Sequence, residues 1–297
     1  MEIKSGVQSV ILPNGETIAY RQAGSGEKVL VLIHGNMTSS KHWDVVMDNL
    51  QFSYRMYAID LRGFGFSTYK KSIESLRDFS EDLFLFVNQV GLTSFSLVGW
   101  STGGGVSMQF ASNHPEYVEQ LILVESVGIK GYPIFQKDEK GQPIPFKYLS
   151  SKEEIAKDPI QVLPALQALE KRDKDYYRMV WNLLIYTHNQ PTPEKYEEYL
   201  DDMLTQRNLV DVDYALVTFN ISDESNGVTD GTGEVHQIVA PTLVLQGDRD
   251  YVVPKGMADG IANAIPHAKF VLLPDCGHSP LVDCLDELVQ HIKAFVK

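Results

Sequence analysis

The chain has 297 residues, of which 43% are hydrophobic and 22% are charged, and its formal net charge at pH 7 is -13. These values are typical of a globular protein with one large domain, or with a core and one insertion. The acidic balance excludes nucleic acids and anionic membranes as expected partners, because like charges repel. No stretch approaches the roughly 18 apolar residues that a membrane span requires.

The first residues of the chain and its two cysteines predict a cellular location. Residues 1–6 lack the apolar centre of a signal peptide. The two cysteines, Cys276 and Cys284, do not amount to a disulfide framework, and no second pair completes a four-ligand metal site. We therefore expect a cytoplasmic protein with reduced, packed or surface thiols and with no metal or other cofactor. The oligomeric state stays open.

The first part of the chain predicts strands that alternate with helices. Strands at 7–12 and 17–22 flank Pro13-Asn14-Gly15, and Asn-Gly between two such runs predicts a hairpin. A continuous apolar run at 28–33 ends in His34-Gly35 and is typical of a strand buried on both faces of a sheet. The other predicted elements here are a helix at 43–50, a strand at 55–59, an amphipathic helix at 75–90, and strands at 95–98 and 120–124.

A glycine-flanked serine follows the strand at 95–98. The segment reads Gly99-Trp100-Ser101-Thr102-Gly103, and apolar residues at helical spacing begin near Val106. Gly-x-Ser-x-Gly between a strand and a helix places the serine on a sharp turn, with the helix N-terminus behind it. This context predicts that Ser101 is a nucleophile.

The strand rhythm stops after Glu125 and resumes near residue 234. Residues 131–149 are rich in Pro, Lys and Gly without a clear strand, and 151–218 have helical character. The later predicted elements are strands at 242–246 and 269–273, helices at 255–264 and 285–296, and a polar loop at 226–233. We therefore predict an α/β core formed by 1–125 and 234–297, with a helical cap at 126–233 over the carboxyl edge of a parallel sheet.

Carboxylates and a histidine follow the last two predicted strands. Asp248 and Asp250 come after the strand at 242–246, and His278 comes after the strand at 269–273. A serine nucleophile needs a histidine base, and the base needs an orienting acid. Glu125, which ends the strand at 120–124, is an alternative acid.

Four blocks together carry a resemblance to a known family. They are Leu32-Ile33-His34-Gly35-Asn36, the run 60–67, Gly99-Trp100-Ser101-Thr102-Gly103, and the loops of Asp250 and His278. In these blocks, and in the order serine, acid, histidine, the chain resembles α/β-hydrolase fold proteins with a helical cap. The resemblance implies a mostly parallel eight-stranded sheet and a triad of Ser101, His278 and Asp250, with Asp248 as a structural loop carboxylate.

The resemblance also implies an oxyanion hole and a substrate pocket. Its donors would be the backbone N–H groups of Thr102 and Asn36, with Met37 as the fallback. The candidate pocket residues are Trp100, Met37 and Trp181. For Trp181, as for Tyr176, Tyr177 and Tyr186, the default expectation is a place in the cap core, with one or two of the four lining the acyl pocket. We expect structural roles for His34, Asp60 and Arg62. We expect five other histidines to face solvent: His42, His114, His188, His236 and His267.

The activity implied is hydrolysis of small or short-chain carboxylic esters through an acyl-enzyme, with a small-molecule ester as partner. Haloalkane dehalogenases and epoxide hydrolases are excluded, because they need an aspartate where Ser101 stands. The run 99–104 also resembles intracellular bacterial polyhydroxybutyrate depolymerases, so a hydroxyacid oligomer is an alternative substrate, as is a lactone or a carbon–carbon bond. An alternative of another class is a ligand receptor without turnover on the same fold.

Overall fold

A computed structural model describes residues 6–296, so the N-terminal segment 1–5 and residue 297 lie outside the described residues. The prediction that residues 1–6 lack a signal peptide therefore lies mostly outside the described residues. The same is true of the two outer ends of the predicted core. Ten strands are described, and their bounds are β1 Gln8–Ile11, β2 Thr17–Ala23, β3 Lys28–Ile33, β4 Tyr54–Ile59, β5 Phe95–Trp100, β6 Val118–Val124, β7 Phe135–Lys137, β8 Pro143–Tyr148, β9 Thr242–Gly247 and β10 Lys269–Leu273.

Eight of these strands form one sheet in the order β1-β2-β4-β3-β5-β6-β9-β10. The strands from β4 to β10 in this order pair parallel to one another. The hairpin of β1 and β2 is antiparallel, and β2 pairs antiparallel with β4. The predicted mostly parallel eight-stranded sheet is therefore confirmed, and the Asn14-Gly15 turn joins the predicted hairpin.

Helices cover both faces of the sheet. Their bounds are α1 Asp44–Leu50, α2 Leu76–Gln89, α3 Thr102–Asn113, α4 Lys152–Ala156, α5 Leu163–Lys171, α6 Lys174–Leu184, α7 Pro193–Met203, α8 Leu209–Thr218, α9 Lys255–Ala264, α10 Pro280–Asp283 and α11 Leu285–Phe295. Helices α2, α3 and α9 contribute to the hydrophobic core on one face, and α1 and α11 contribute to the core on the other.

Strand β3 shows why its sequence is apolar without alternation. Val29, Val31 and Ile33 belong to one core, whereas Leu30 and Leu32 belong to the other. Successive side chains of a strand point to opposite faces, so a strand covered on both faces needs apolar residues at every position. Burial of each such side chain contributes about 1.5–3 kcal/mol relative to exposure.

Helix α3 begins earlier than the sequence predicts. It starts at Thr102 rather than near Val106, so three consecutive glycines lie in its first turn. A Cβ atom on Gly103 would lie 2.3 Å from the carbonyl oxygen of Ile33 and 2.5 Å from that of His34. The glycine run thus permits the helix to start against β3, and apolar periodicity could not reveal a start made of glycines.

Residues 126–233, all of them described, contribute no strand to the large sheet. They hold helices α4 to α8, as the helical character predicts, together with the two-stranded hairpin of β7 and β8. The prediction of no clear strand in 131–149 is wrong for this hairpin. Its strands are mostly solvent-exposed and therefore lack the apolar alternation that marks a strand.

Within residues 6–296, no helix combines the length and the apolar character needed to cross a bilayer. The same range contains no cluster of three or more His, Cys, Asp or Glu side chains arranged to hold a metal ion.

Candidate active site

Ser101 lies on a strained turn between β5 and α3. Its backbone has φ 56° and ψ -120°, a region that a non-glycine residue adopts only under constraint. The turn is held because the Ser101 N–H donates to the Val124 carbonyl at 2.9 Å and the Gly104 N–H donates to the Ser101 carbonyl at 2.9 Å. A Cβ atom on Gly99 would lie 2.3 Å from the Gly103 carbonyl oxygen, so this turn also requires glycine two residues before the serine.

The structure brings Ser101, His278 and Asp250 into one hydrogen-bonded chain. His278 Nε2 lies 3.0 Å from Ser101 Oγ, and His278 Nδ1 lies 2.8 Å from Asp250 Oδ2. The three residues follow β5, β10 and β9, whose carboxyl ends meet at one edge of the sheet. The Trp100 Nε1–H donates to the His278 carbonyl at 2.8 Å and fixes the histidine loop.

The Asp250 carboxylate is buried, but protein groups donate several hydrogen bonds to it. Its Oδ1 accepts from the N–H groups of Val252 at 2.7 Å and Val253 at 2.8 Å. Burial by itself raises the pKa of Asp250, but the facing His278 and these hydrogen bonds outweigh that effect and hold the pKa below its ordinary value. Asp250 is therefore charged at neutral pH, as the orienting partner of a histidine must be.

Glu125 lies behind Asp250 rather than beside His278. Its side chain is fully buried, its backbone has φ 45°, and its Oε1 accepts from the Gly247 N–H at 2.7 Å. Glu125 Oε2 is buried and has no hydrogen-bond donor among residues 6–296. Burial and the nearby charge of Asp250 raise the pKa of Glu125 well above its ordinary value, which favours the neutral acid.

The backbone N–H groups of Asn36 and Thr102 belong to two segments that adjoin Ser101. The loop after β3 passes close to the serine, because a Cβ atom on Gly35 would lie 3.0 Å from Ser101 Cβ. The Asn36 N–H donates to no backbone or side-chain group within residues 6–296. Thr102 opens α3, and the first N–H groups of a helix lack partners within it. The Met37 N–H, the fallback donor, is engaged with Asn36 Oδ1 at 3.0 Å and Gln206 Oε1 at 3.1 Å.

The two tryptophans predicted to line the pocket do not. Trp100 and Trp181 are each 1% exposed and pack in the core that also holds α1 and α11. A side chain enclosed in this way presents no surface to a ligand, so the pocket prediction is wrong for both. Met37 is half-buried beside Asn36, and its place in a pocket stays a prediction. Tyr177 and Tyr186 are buried core residues as well, whereas Tyr176 is half-buried.

Other predicted roles can be compared with the contacts. His34 is structural as expected, because its Nε2 accepts from the Leu61 N–H at 3.0 Å, and burial lowers its pKa to about 4. Asp60 accepts from the Ser40 and Phe66 N–H groups, both at 2.9 Å, and so braces its loop. His42 was expected to face solvent, and this is wrong, since it is buried and stacks on Tyr199 at 4.2 Å.

Residues 126–233 contact each of the loops that form the site. Asn36 Nδ2 donates to Asp213 Oδ1 at 3.1 Å, the Tyr132 hydroxyl donates to the Val252 carbonyl at 2.9 Å, and Thr187 lies against Gly277. The segment therefore contacts the loops that follow β3, β9 and β10.

Asp213 is a site residue that the sequence reading missed. It lies on α8, is only partly exposed, and burial raises its pKa to about 7. A signal was present, because Leu209, Val212, Asp213 and Leu216 have the spacing of one helical face. An acid on an otherwise apolar face indicates a buried polar contact.

Comparison with known proteins agrees with this architecture. A family model described as "alpha/beta hydrolase fold" matches residues 28–283. A pimeloyl-[acyl-carrier protein] methyl ester esterase of Nitrosomonas europaea is 27% identical over 268 residues, which are 88% of this chain and 92% of that protein. Lipase 1 of Psychrobacter immobilis is 26% identical over 97% of this chain and 83% of its own length. The solved structure of a thermophilic esterase from Thermogutta terrifontis superimposes with a TM-score of 0.71 at 21% identity, covering 98% of both chains.

Proposed function

The chain belongs to the alpha/beta hydrolase fold family, and we propose that it hydrolyses carboxylic esters with Ser101 as nucleophile, His278 as base and Asp250 as orienting acid. The observation that carries the proposal is the hydrogen-bonded chain from Ser101 Oγ through both ring nitrogens of His278 to Asp250. The curated relatives named an esterase and a lipase support ester-bond hydrolysis as the reaction class.

The chemistry follows from the two hydrogen bonds. His278 Nε2 takes the Ser101 proton while Oγ attacks the acyl carbon, and it then gives that proton to the departing alcohol. Asp250 holds the Nδ1–H tautomer and stabilises the imidazolium that forms. In the second half of the reaction, His278 activates a water molecule, which attacks the acyl-enzyme and releases the carboxylic acid. The free N–H of Asn36 and that of Thr102 support an oxyanion hole, each donor being worth about 2.7–4 kcal/mol in comparable sites.

The burial of the site supports a small or short-chain substrate. Ser101 is 7% exposed, and residues 126–233 contact every loop around it. We propose that this segment is a cap that shapes the acyl pocket, with 6–125 and 234–296 as the described part of the core. Several narrower statements stay predictions from the sequence. They are the alternative substrates (hydroxyacid oligomers, lactones or carbon–carbon bonds), the role as a ligand receptor, and the cytoplasmic location.

The test uses p-nitrophenyl acetate and butyrate. Wild-type protein is expected to turn both over with an initial burst of nitrophenol, and Ser101→Ala is expected to lose this activity by about 10⁴-fold or more. Ser107→Ala is a matched control, because Ser107 is a buried serine of α3, the helix that follows Ser101, and its hydroxyl has no partner within the described chain. Activity in Ser101→Ala equal to that of wild type, or no turnover by wild type, would show that the proposal is wrong. Turnover rates on a panel of lactones and 3-hydroxybutyrate oligomers then distinguish the alternative substrate classes.

A further inference from the structure

The two cysteines of the chain meet behind the His278 loop. Cys276 Sγ and Cys284 Sγ lie 2.7 Å apart although both are free thiols, which is closer than sulfur atoms pack without bonding. A disulfide has a sulfur–sulfur bond of about 2.05 Å, so the atoms need to approach by only roughly 0.7 Å. We propose that Cys276 and Cys284 are a modification site at which an intramolecular disulfide forms and braces the loop that carries His278.

The position of the pair ties it to the histidine. Cys276 stands two residues before His278 in the loop after β10, and Cys284 stands between α10 and α11. The loop is already closed at its base, because the Cys276 N–H donates to Asp248 Oδ1 at 3.1 Å and the Gly277 N–H donates to Asp283 Oδ2 at 2.9 Å. A covalent link therefore joins two points that the hydrogen bonds already hold together.

Access differs between the two thiols and sets the order of reaction. Cys276 is buried, and its hydrogen bond with Cys284 together with burial raises the pKa of the Cys276 thiol. Cys284 is half-buried and lines a surface groove of about 610 Å³. The thiolate is the reactive form of cysteine, so Cys284 reacts first and Cys276 second.

The chemistry balances with a small-molecule disulfide, RSSR, as the oxidant. The Cys284 thiolate attacks one sulfur of RSSR, the reagent's sulfur–sulfur bond breaks, and RS⁻ leaves. Cys276 then loses its proton, attacks Cys284 Sγ and displaces the second RS⁻. Two protein thiols are oxidised, one reagent disulfide is reduced, and the two protons end on two RSH molecules.

The groove also selects the reagent. Beside Arg249 and His188, it carries the carboxylates of four residues: Asp275, Asp283, Asp286 and Glu287. Because these groups repel anions, a neutral disulfide is the suitable probe, and we choose bis(hydroxyethyl) disulfide.

Closing a short loop constrains the unfolded chain more than the folded one. The cysteines are eight positions apart, and for a chain of this length the loop-closure relation corresponds to a rise in Tm of about 4 °C. Because the sulfurs already touch, we expect oxidation to leave the hydrogen bond between His278 and Ser101 in place.

The test treats folded wild-type protein with the neutral disulfide and follows intact mass and tryptic peptides. We expect a loss of two hydrogen atoms that maps to the single tryptic peptide 270–293, which holds both cysteines. We also expect a Tm gain, and dithiothreitol should reverse both changes. Cys276→Ala should stop at one mixed disulfide on Cys284, and folded Cys284→Ser should stay unmodified, with circular dichroism confirming that each variant folds. Urea-unfolded wild type shows that the reagent is competent.

Two results would overturn the proposal. Folded wild type could keep both thiols titratable, or it could stop at a mixed disulfide without forming the internal bond. A cross-link that forms without raising the Tm would overturn the bracing role.

Discussion

Replacing Asp250 and Glu125 separately tests which buried carboxyl group serves His278. In Asp250→Asn, the amide nitrogen can donate to His278 Nδ1, which moves the imidazole proton to Nε2 and leaves no base facing Ser101 Oγ. A wrong tautomer of this kind lowers kcat by about 10⁴-fold, or about 5.5 kcal/mol.

Glu125→Gln has the opposite expectation. Glu125 accepts from the Gly247 N–H with Oε1, and its raised pKa favours the neutral form beside Asp250. Glutamine keeps this bond through its carbonyl oxygen and is also neutral, so kcat/KM should stay within about threefold of wild type, equivalent to about 0.7 kcal/mol. Glu125→Ala instead leaves the Gly247 N–H buried without an acceptor, at a cost of about 1–3 kcal/mol in unfolding free energy.

The assay is p-nitrophenyl butyrate hydrolysis from pH 5 to 9, with circular dichroism to confirm that each variant is folded. If Glu125 is neutral, the acid limb of the kcat/KM profile keeps its position in Glu125→Gln. A limb displaced by one pH unit or more would show that glutamine removed a negative charge. Activity lost in folded Glu125→Gln but kept in Asp250→Asn would make Glu125 the acid and refute the reasoning.

Three further predictions concern stability. Burial raises the pKa of Asp213 to about 7, against 3.8 for an unperturbed group, so its contribution to stability is complete below about pH 4 and is lost as the pH rises through 7. Asp213→Asn should therefore raise the Tm at pH 8 but not at pH 4, with a gain in unfolding free energy of at most about 4 kcal/mol, and an equal change at both pH values would contradict this. Gly103→Ala should cost about 3 kcal/mol or more in urea unfolding because its Cβ meets two backbone oxygens, whereas Gly256→Ala, with nothing within 4 Å, should cost nothing. Asp82→Ala strands the buried Arg62 and should cost about 3–5 kcal/mol in a urea melt, whereas Glu153→Ala at the exposed pair with Lys157 should cause no measurable change.

The parts of the fold that could be predicted are those whose signal is local. The glycines around Ser101, the Asn14-Gly15 turn and the apolar run of β3 each reflect a backbone requirement that the sequence must satisfy in place. The start of α3 at Thr102 could not be predicted, because the glycines of its first turn add no apolar side chains to the helical pattern.

The parts that could not be predicted depend on packing between distant segments. Trp181 and His42 look polar or amphipathic in sequence, but their ring centroids lie 5.6 Å apart in one aromatic cluster. The turn before α1 supplies His42, and α6 and α7 supply Trp181 and Tyr199. Whether an aromatic side chain faces a cavity or a core is decided by its neighbours in space. The contact of Asp213 with Asn36, across 177 positions, is of the same kind.

The position of β9 in the sheet has a consequence for synthesis on the ribosome. Strand β6 is bordered by β9, which begins about 120 residues after β6 ends, and at about 5–20 residues per second that delay is roughly 6–24 s. During this interval the edge of β6 offers unpaired N–H and C=O groups to any other extended chain. The nascent protein is thus most exposed to aggregation while residues 126–233 emerge, and a chaperone that shields this edge would act in that window.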